Sequence, residues 1–584
     1  MPRLSLAQLA ALDSGVAMLE ACPGSGKTRT VVQRFKVQSS KATKGIALLS
    51  FTNAAVDEAT SRCLDQPQLL KSPNFVGTFD SFIHRYIVTP SLAPILRKSP
   101  TYLESWSSLS IPTTRRIWNQ PGQGISLSSL RYDDHGKVFL DIDTLNHGER
   151  SYFQKLKTDA DRQQLERQCI QAIENLMKKG IFDSESARAK ALEILRSDRG
   201  AHILTLLARR FQEIIVDEFQ DCSTVEHQII KLLASAGIET LVVADAEQAI
   251  YEFRGATAEL YEQYRASIPE LSRRSLVENY RSSPVICELI TSIRTGRQAI
   301  RSAGSFTGAL PAHIYLLVGS DAEISSQFSA LADEWMIEVS ERIALAHSAS
   351  DAQKLGSGIA LSPNGEGTTT RLLHSLGTLR QKKSPSDRRK AALRLEQTLL
   401  DLLAWPNELA EQDTLAKLTH LDKDRVWLRS IIGRILGESL NWTDQASCKA
   451  SLVSILEEEF GQLDIGFGDS SLKRKLGHIR PEAWSFWTSA EQSAKKSSTL
   501  KWSTIHGAKG NEYDAVLLKI PSPDAERAWE ADEQSEEKRV FYVGASRARR
   551  LLAIAVPKSR LKAFQAKLDG FSIPHETLVA KTVE

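Results

Sequence analysis

The stretch that decides the fold is Ala21-Cys22-Pro23-Gly24-Ser25-Gly26-Lys27-Thr28. It follows the short apolar run Val16 to Leu19 as a phosphate-binding loop follows its strand. Gly24 and Gly26 leave room for backbone N–H groups to converge on phosphate oxygens. Lys27 can reach the β- and γ-phosphates, and the Thr28 hydroxyl can bind Mg²⁺. The stretch therefore predicts a P-loop domain that binds a nucleoside triphosphate and its metal ion.

Two carboxylates that such a loop needs follow a second stretch, Phe211-Gln212-Glu213-Ile214-Ile215-Val216. This run predicts a buried strand that ends in Asp217 and Glu218. At the carboxyl end of a parallel strand, Asp217 can bind Mg²⁺ through water, and Glu218 can orient or deprotonate the attacking water. Hydrolysis is then favoured over phosphoryl transfer to a substrate. The alternative is an acidic turn that caps the next helix.

Nine blocks of the chain, in this order, resemble the motif series of superfamily 1A helicases, the UvrD/Rep/PcrA group. The blocks are Gln8, Ala21 to Thr28, Leu48 to Thr60, Val76 to Phe82, Asp217 to Asp221, Ala244 to Gly255, Leu276 to Ser282, Thr504 to Glu512 and Glu536 to Ala548. The resemblance implies an α/β fold with two RecA-like P-loop domains, each a parallel sheet with flanking helices and each interrupted by a mainly helical insertion. It also implies ATP-dependent 3′ to 5′ movement on single-stranded DNA or 3′-tailed duplex DNA, with ATP and Mg²⁺ as ligands.

The resemblance assigns roles at the nucleotide. Gln8 would pair with adenine and Tyr280 would stack on it, while Gln248 resembles the γ-phosphate sensor. Arg281 and Arg547 resemble the two arginines that enter the cleft from the second domain. The predicted catalytic residues are Lys27, Asp217, Glu218, Gln248, Arg281 and Arg547, with Thr28 and Asp217 on the metal. The predicted ATP-binding residues are Gln8, Ala21, Cys22, Pro23, Gly24, Ser25, Gly26, Lys27, Thr28, Arg29, Tyr280, Arg281, Glu512 and Arg547. Glu512 resembles the residue that holds the sugar, and a purely structural role is its alternative.

Aromatic residues predict the DNA track, because they stand in loops expected at the strand ends opposite the nucleotide. Each stacked base is worth about 1–3 kcal/mol, whatever its sequence. The predicted DNA-binding residues are Phe51, Thr52, Thr78, Phe79, Tyr251, Phe253, Arg254 and His506. Core packing is an equal alternative for Phe79. Asp80 stands where the family commonly has His, and Asn511 where it commonly has Leu, which affects the expected DNA contacts and not ATP hydrolysis.

The pattern of strands and helices predicts six segments. They are 1–89 and 200–275 for the first RecA-like domain (1A), 90–199 for its helical insertion (1B), 276–363 and 497–584 for the second (2A), and 364–496 for a reduced helical insertion (2B).

The composition is that of a soluble protein with several cores. The chain has 584 residues, of which 42% are hydrophobic, and a formal net charge of +3. Basic residues concentrate between Arg371 and Arg394, as a phosphate-binding face or equally as a solvated loop. Six cysteines lack metal spacing, and no signal peptide or long apolar span occurs, so we expect a cytoplasmic protein with reduced thiols.

Two other functions are compatible with the motifs. The first is a DNA-sensing ATPase or translocase subunit of a nuclease-containing complex that unwinds little by itself. The compact size and the block Gly77 to Phe82, followed by Pro90, also resemble the helicase subunit of the Gabija antiphage system, whose partner is an OLD-family nuclease. The second is a DNA-binding scaffold with an inactive ATPase, against which the intact catalytic set argues. The pathway is thus DNA repair or antiphage defence.

Overall fold

The structure is a computed structural model of the chain. It describes residues 4–103, 105–106, 109, 114–117, 124–142, 145–250, 258–294, 298–306, 308–357, 368–380, 385–406, 409, 414–468, 471–479, 483–484, 487–488, 500–520, 529 and 536–579.

The first domain is built on a six-stranded parallel sheet. In spatial order its strands are Arg273–Leu276, Met18–Ala21, Glu239–Ala244, Phe211–Val216, Gly45–Ser50 and Phe75–Thr78. Helices cover the faces of the sheet, so its central strands are mostly buried. The predicted strand Phe211 to Val216 is confirmed with the same bounds. Because neighbouring parallel strands end at one edge, the P-loop, the turn that carries Gln248 and the Asp217–Glu218 pair all meet there.

The helices of the first domain lie mostly between these strands. They are Leu6–Ala10, Lys27–Lys41, Asn53–Ser61, Phe79–Ile83, Thr89–Leu96, Ser184–Arg196, Gly200–Arg210, Thr224–Ser235 and Ala258–Ser267, with a π-helical turn at His84–Val88. We predicted Ser184 to Leu195 as part of the insertion. Its buried Leu192 and Leu195 share one apolar core with Phe82 and Phe211 of the first domain.

The second domain repeats the architecture. In spatial order its parallel strands are Lys501–Thr504, Arg342–Ala346, Tyr513–Lys519, Ala548–Ala555, Ile314–Val318 and His575–Val579. Its helices are Pro284–Ile293, Asp321–Glu334, Ala349–Ser357, Glu536–Ala545 and Leu561–Gly570. A short parallel pair, Glu278–Asn279 with Arg301–Ser302, lies where the chain enters this domain. Two parallel α/β sheets confirm the predicted fold class.

The two insertions differ in structure. The first has helices His147–Gln154 and Asp159–Lys178 and three two-stranded ladders: Thr101–Leu103 with Ile181–Asp183, Thr114–Arg115 with Ile125–Ser126, and Leu130–Tyr132 with Val138–Leu140. These strands were not predicted, because two or three residues are too few for an alternating pattern.

The described part of the second insertion is helical. Its helices are Thr368–Arg380, Pro385–Leu400, Thr414–His420, Arg425–Glu438, Gln445–Phe460 and Leu472–Leu476. In the predicted basic run, the Arg380 guanidinium lies 4.8 Å from the centre of the Trp487 ring, whereas Arg388 and Arg389 are exposed. Lys382 and Lys383 lie outside the described residues.

All six cysteines are buried and free of disulfides. Burial raises the pKa of Cys169, Cys287 and Cys448 to about 12, so these thiols are protonated at neutral pH. None of the helices that the structure describes combines the length and the apolar character needed to span a bilayer.

One buried ion pair holds the chain segment that leads into the strand Met18–Ala21, which precedes the P-loop. Arg34, on the helix that follows the P-loop, donates from Nη2 to Glu213 Oε1 at 2.5 Å, and both side chains are almost fully buried. The same guanidinium donates to the main-chain oxygens of Ala11 and Val16 at 3.1 and 3.2 Å, and also to that of Asp13. The pair therefore joins the helix, a central strand and the chain before the P-loop.

We expect Arg34→Met to lower the free energy of unfolding by about 3–5 kcal/mol, because it leaves the Glu213 carboxylate buried without its partner. Lys36→Met on the same helix is the control. Lys36 pairs at 2.6 Å with a half-exposed Asp65, so its loss should cost at most about 1 kcal/mol. Urea unfolding followed by far-UV circular dichroism measures both, and equal losses would contradict the assignment.

Candidate functional site

The P-loop has the backbone that a phosphate site requires. Gly24 and Gly26 have φ angles of 69° and 75°, in the left-handed region that favours glycine. The helix Lys27–Lys41 begins directly after Gly26, so its first N–H groups point into the loop. Such a helix start attracts anions through free N–H donors and the helix dipole.

Lys27 lies between the two predicted carboxylates. Its Nζ is 2.5 Å from Glu218 Oε1 and 3.4 Å from Asp217 Oδ1. Burial opposes the charge of Lys27, but the two carboxylates outweigh it and raise the lysine pKa. Burial raises the pKa of Asp217. For Glu218 burial is outweighed by the charges of Lys27 and Lys509, which lower its pKa to about 2. Glu218 also has φ 57°, a strained backbone of the kind that clusters at functional sites.

Hydrogen bonds join the loops at this edge. Gln220 donates to Glu218 Oε2 at 2.5 Å, and its side-chain oxygen accepts from the Asp245 N–H at 3.1 Å. Gln248 in turn donates to Asp245 Oδ2 at 2.8 Å. The predicted sensor is therefore connected to the predicted base through two side chains.

Arg547 enters this network from the second domain. Its Nη2 donates to Gln248 Oε1 at 3.1 Å, and its other contacts are the hydroxyl of Ser546 and the main-chain oxygens of Val543 and Asn511. Burial, together with the charge of Arg281, lowers the Arg547 pKa to about 9. Within the described part of the chain, no carboxylate lies at salt-bridge distance from its guanidinium. Arg547 is thus a buried cation whose charge is available to an anionic ligand.

Arg281 is also at the cleft, but it is paired. Its Nε donates to Glu512 Oε2 at 2.5 Å, while Arg549 Nη2 donates to Glu512 Oε1 at 2.6 Å. Burial disfavours the charge of Glu512, but Arg281 and Arg549 outweigh it and lower the carboxyl pKa. Both oxygens of Glu512 are therefore engaged by arginines, which fits the structural alternative and leaves the sugar contact a prediction.

The predicted adenine residues lie beside the P-loop. Gln8 is buried, with its Oε1 accepting from the Ser5 N–H at 3.0 Å and its Nε2 donating to the Ser25 oxygen at 2.8 Å. Its amide thus supports the P-loop, and adenine pairing stays a prediction. Tyr280 is 40% exposed, and its main-chain N–H donates to the main-chain oxygen of Gly24 at 2.8 Å. The ring is therefore placed at the P-loop and accessible to a base.

The remaining predicted nucleotide-binding residues lie in or beside the P-loop. Ala21 ends its strand, Cys22 donates its N–H to the Leu276 oxygen at 2.9 Å, and Arg29 lies in the first turn of the helix. Thr28 and Asp217 both border one small, mostly apolar cavity, and metal binding by them stays a prediction.

The predicted DNA residues are only partly brought together. Phe79 is 1% exposed and belongs to the core of the first domain, which favours the packing alternative, and DNA binding by it stays a prediction. The half-buried Phe51 stacks on it with ring centres 5.5 Å apart. The hydroxyls of Thr52 and Thr78 cap helices by accepting from Ala55 and Ser81 N–H groups. Tyr251, Phe253 and Arg254 lie outside the described residues.

The structure explains the unusual Asp80. Its two oxygens accept from Arg188 Nε and Nη2 at 2.6 and 2.9 Å, and Arg188 Nη1 is 3.1 Å from the buried Glu226. Burial opposes the charges, but the two carboxylates outweigh it and raise the Arg188 pKa. Asp80 thus fixes the helix Ser184–Arg196 to the helix Phe79–Ile83, where a DNA-facing residue was expected.

Sequence reasoning missed a contact across the cleft. Lys509 of the second domain donates to Asp221 Oδ2 at 2.6 Å. Burial raises the Asp221 pKa to about 6, although Lys509 acts in the opposite direction. Both residues lie inside the motif blocks given above, but neither had an assigned role, so their contact was not predicted. His506, three residues earlier, donates from Nε2 to the Ile250 oxygen at 3.1 Å, and DNA binding by it stays a prediction.

Comparison with known proteins gives consistent matches. The UvrD/REP helicase N-terminal domain matches residues 4–269, and the UvrD-like helicase C-terminal domain matches residues 413–559. A probable DNA helicase II homolog of Mycoplasma pneumoniae is 23% identical over 602 residues, covering 92% of this chain and 81% of that protein. A probable DNA helicase of the same organism is 24% identical over 311 residues, covering 50% of this chain and 56% of that protein. DNA helicase II of Escherichia coli is 26% identical over 263 residues, covering 44% of this chain and 35% of that protein. For the last two relatives, the match therefore spans only about half and a third of their lengths.

Gly24 provides a direct test of the site, because an added Cβ there would lie 2.4 Å from Asn279 Oδ1 and 2.6 Å from Arg281 Cβ. We expect Gly24→Ala to displace the Asn279–Arg281 segment and to weaken MgATP binding by about tenfold or more. Gly15→Ala is the control, since its Cβ meets no atom within 4 Å. The rise in melting temperature with MgATP concentration measures both variants, and equal affinities would contradict this geometry.

Proposed function

The chain belongs to the UvrD-like helicases of superfamily 1A, and we propose that it hydrolyses ATP to move 3′ to 5′ along single-stranded DNA and to separate duplex strands. The observation that carries the proposal is the contact between Arg547 and Gln248. It places a buried arginine of the second domain, 3.1 Å from the sensor side chain, at the edge where the P-loop ends. Charge supplied across a cleft in this way is how such ATPases stabilise the transferring phosphoryl group.

The residues present fit MgATP. The P-loop supplies N–H donors, Lys27 supplies charge, and the half-exposed Tyr280 ring offers a stacking surface for adenine. Mg²⁺ is usually held by one or two protein oxygens together with substrate phosphates, and the Thr28 hydroxyl and the Asp217 carboxylate are oxygen donors of this kind. When bound, Mg²⁺ would neutralise charge that develops on the phosphates.

The charges of the site suggest how hydrolysis begins. Lys27 lies 2.5 Å from Glu218, and its charge lowers the Glu218 pKa, so the paired carboxylate is a weak base. Phosphates compete for the same ammonium group. When Lys27 turns to the phosphates, the Glu218 pKa rises and the carboxylate can orient and deprotonate water.

Movement on DNA follows from opening and closing of the cleft. Arg547 and Lys509 belong to the second domain and contact Gln248 and Asp221 of the first domain. Alternate closure and opening during each ATP cycle would shift one domain relative to the other along a single strand. We propose the segment boundaries given above for the two domains and their insertions.

Lys27→Met is the first test of the nucleotide site. It removes the ammonium group that would bind the β- and γ-phosphates, so we expect ATP turnover to fall by about 10³-fold or more. Phosphate release in the presence of single-stranded DNA measures this. Lys36→Met on the same helix should retain wild-type turnover, and an active Lys27→Met protein would refute the site.

Arg547→Ala should separate ATP binding from chemistry. The arginine acts on charge that develops in the transition state, so we expect kcat to fall by about 10³-fold with nearly unchanged ATP affinity. Single-turnover hydrolysis and nucleotide titration measure the two quantities. Arg550→Ala is the control, because its guanidinium binds main-chain oxygens of Ala309 and Trp335 in its own domain. Near-normal chemistry in Arg547→Ala would remove it from this role.

Strand displacement on 3′-tailed, 5′-tailed and blunt duplexes tests the whole activity. We expect ATP-dependent displacement of the 3′-tailed duplex only. DNA-stimulated ATPase without displacement of any duplex would instead favour the DNA-sensing ATPase, acting in antiphage defence beside a nuclease rather than in DNA repair.

A further inference from the structure

Three consecutive main-chain oxygens of the first domain each accept a hydrogen bond from a side chain of the second. Lys509 Nζ donates to the Gln248 oxygen at 2.9 Å, and Arg539 Nη1 donates to the Ala249 oxygen at 3.2 Å. His506 Nε2 donates to the Ile250 oxygen at 3.1 Å. We name these three donors the carbonyl clamp.

The donors of the clamp come from two separate segments. His506 and Lys509 lie in the turn after the strand Lys501–Thr504, and Arg539 lies on the helix Glu536–Ala545. Burial lowers the His506 pKa, so the ring is neutral at pH 7 and donates as its Nε2–H tautomer. Two elements of the second domain thus converge on one three-residue segment.

The clamp buries two charged side chains, which argues for a role beyond packing. Arg539 is 2% exposed, and the side chain of Lys509 is 8% exposed. Burying such cations costs free energy that a surface hydrogen bond would not. Their acceptors include main-chain oxygens of the first domain, so these contacts hold the position of the backbone whatever side chains the segment carries.

The clamped segment also carries the sensor. The Gln248 side chain donates to Asp245 and accepts from Arg547, while its own main-chain oxygen accepts from Lys509. The segment leads directly into the stretch beginning at Tyr251, where the sequence predicts DNA contact. One short piece of backbone therefore lies between the nucleotide edge and the predicted DNA track.

We propose that Lys509 and Arg539, with His506, are positioning residues that make residues 248–250 move with the second domain, so that DNA binding and ATP hydrolysis stimulate each other. The inference rests on the proposed function. Closure then carries the backbone of the segment with the second domain, and DNA that restrains the segment favours the closed, hydrolytic cleft.

Among the described residues of the first domain, Lys509 donates to the Asp221 carboxylate and to the Gln248 oxygen, and a pair of variants separates these two contacts. Lys509→Met removes both contacts and leaves Asp221 buried without its cation, whereas Lys509→Met with Asp221→Asn also removes the stranded charge. If the contact to the Gln248 oxygen couples the sites, both proteins should lose about tenfold or more of the stimulation of kcat by single-stranded DNA. The KM for ATP without DNA should change less than about twofold.

Lys509→Arg is the rescue variant, because it keeps a donor within reach of the same oxygens, and it should retain most of the stimulation. Lys519→Met is the control: Lys519 pairs with Asp321 at 2.6 Å inside the second domain, and its loss should leave stimulation unchanged. Arg539→Met tests the clamp independently through the Ala249 oxygen, should a Lys509 variant fail to fold. We expect the same loss of stimulation from it.

The outcomes distinguish this inference from the proposed function. A wild-type protein whose ATPase ignores DNA refutes the proposed function. A stimulated wild type with equally stimulated Lys509→Met/Asp221→Asn and Arg539→Met proteins overturns the clamp alone. Stimulation that is lost in Lys509→Met and restored by the added Asp221→Asn also overturns it, because Lys509 would then act only on the Asp221 charge.

Discussion

The site depends on one electrostatic constraint: several carboxylates lie together at a buried edge of the sheet, where a negatively charged ligand must also bind. Asp217, Glu218, Asp221 and Asp245 all lie at the ends of two adjacent strands. Lys27 is 2.5 Å from Glu218 and keeps the nearest of these charges compensated. The glycines of the P-loop are needed because this lysine must start a helix directly opposite that edge. The parallel sheet satisfies the constraint, since adjacent strands end side by side.

The second domain supplies most of the remaining positive charge. Arg547, Lys509 and Arg539 are all nearly buried at the cleft, and each donates to an acceptor of the first domain. A buried cation is tolerated only when acceptors surround it, so these residues favour a closed cleft. The contacts of these cations with the first domain therefore stabilise the closed cleft electrostatically.

The sequence predicted those features of the molecule that depend on residues close together in the chain. The strand Phe211–Val216 has the expected bounds because its four apolar residues are all buried in a parallel sheet that is covered on both faces. The site residues Lys27, Asp217, Glu218, Gln248 and Arg547 do converge. The sequence left Phe79 open between DNA contact and core packing, because a motif does not reveal which face of a short helix enters the core. Asp80 and Lys509 could not be interpreted, because their partners, Arg188 and Asp221, are 108 and 288 residues away.

An incoming triphosphate changes which charges are balanced. Without it, the cations of the cleft are held by Glu218, Glu512, Asp221 and neutral oxygens. The phosphates attract the same cations more strongly than a single carboxylate does, because they carry more charge and more acceptor oxygens. Lys27 and Arg281 would exchange partners, whereas Arg547, which has no carboxylate partner among the described residues, would gain one without losing another. Arg547 is therefore the cation that can respond most fully to phosphate charge, and its contact with Gln248 connects that response to the segment held by the second domain.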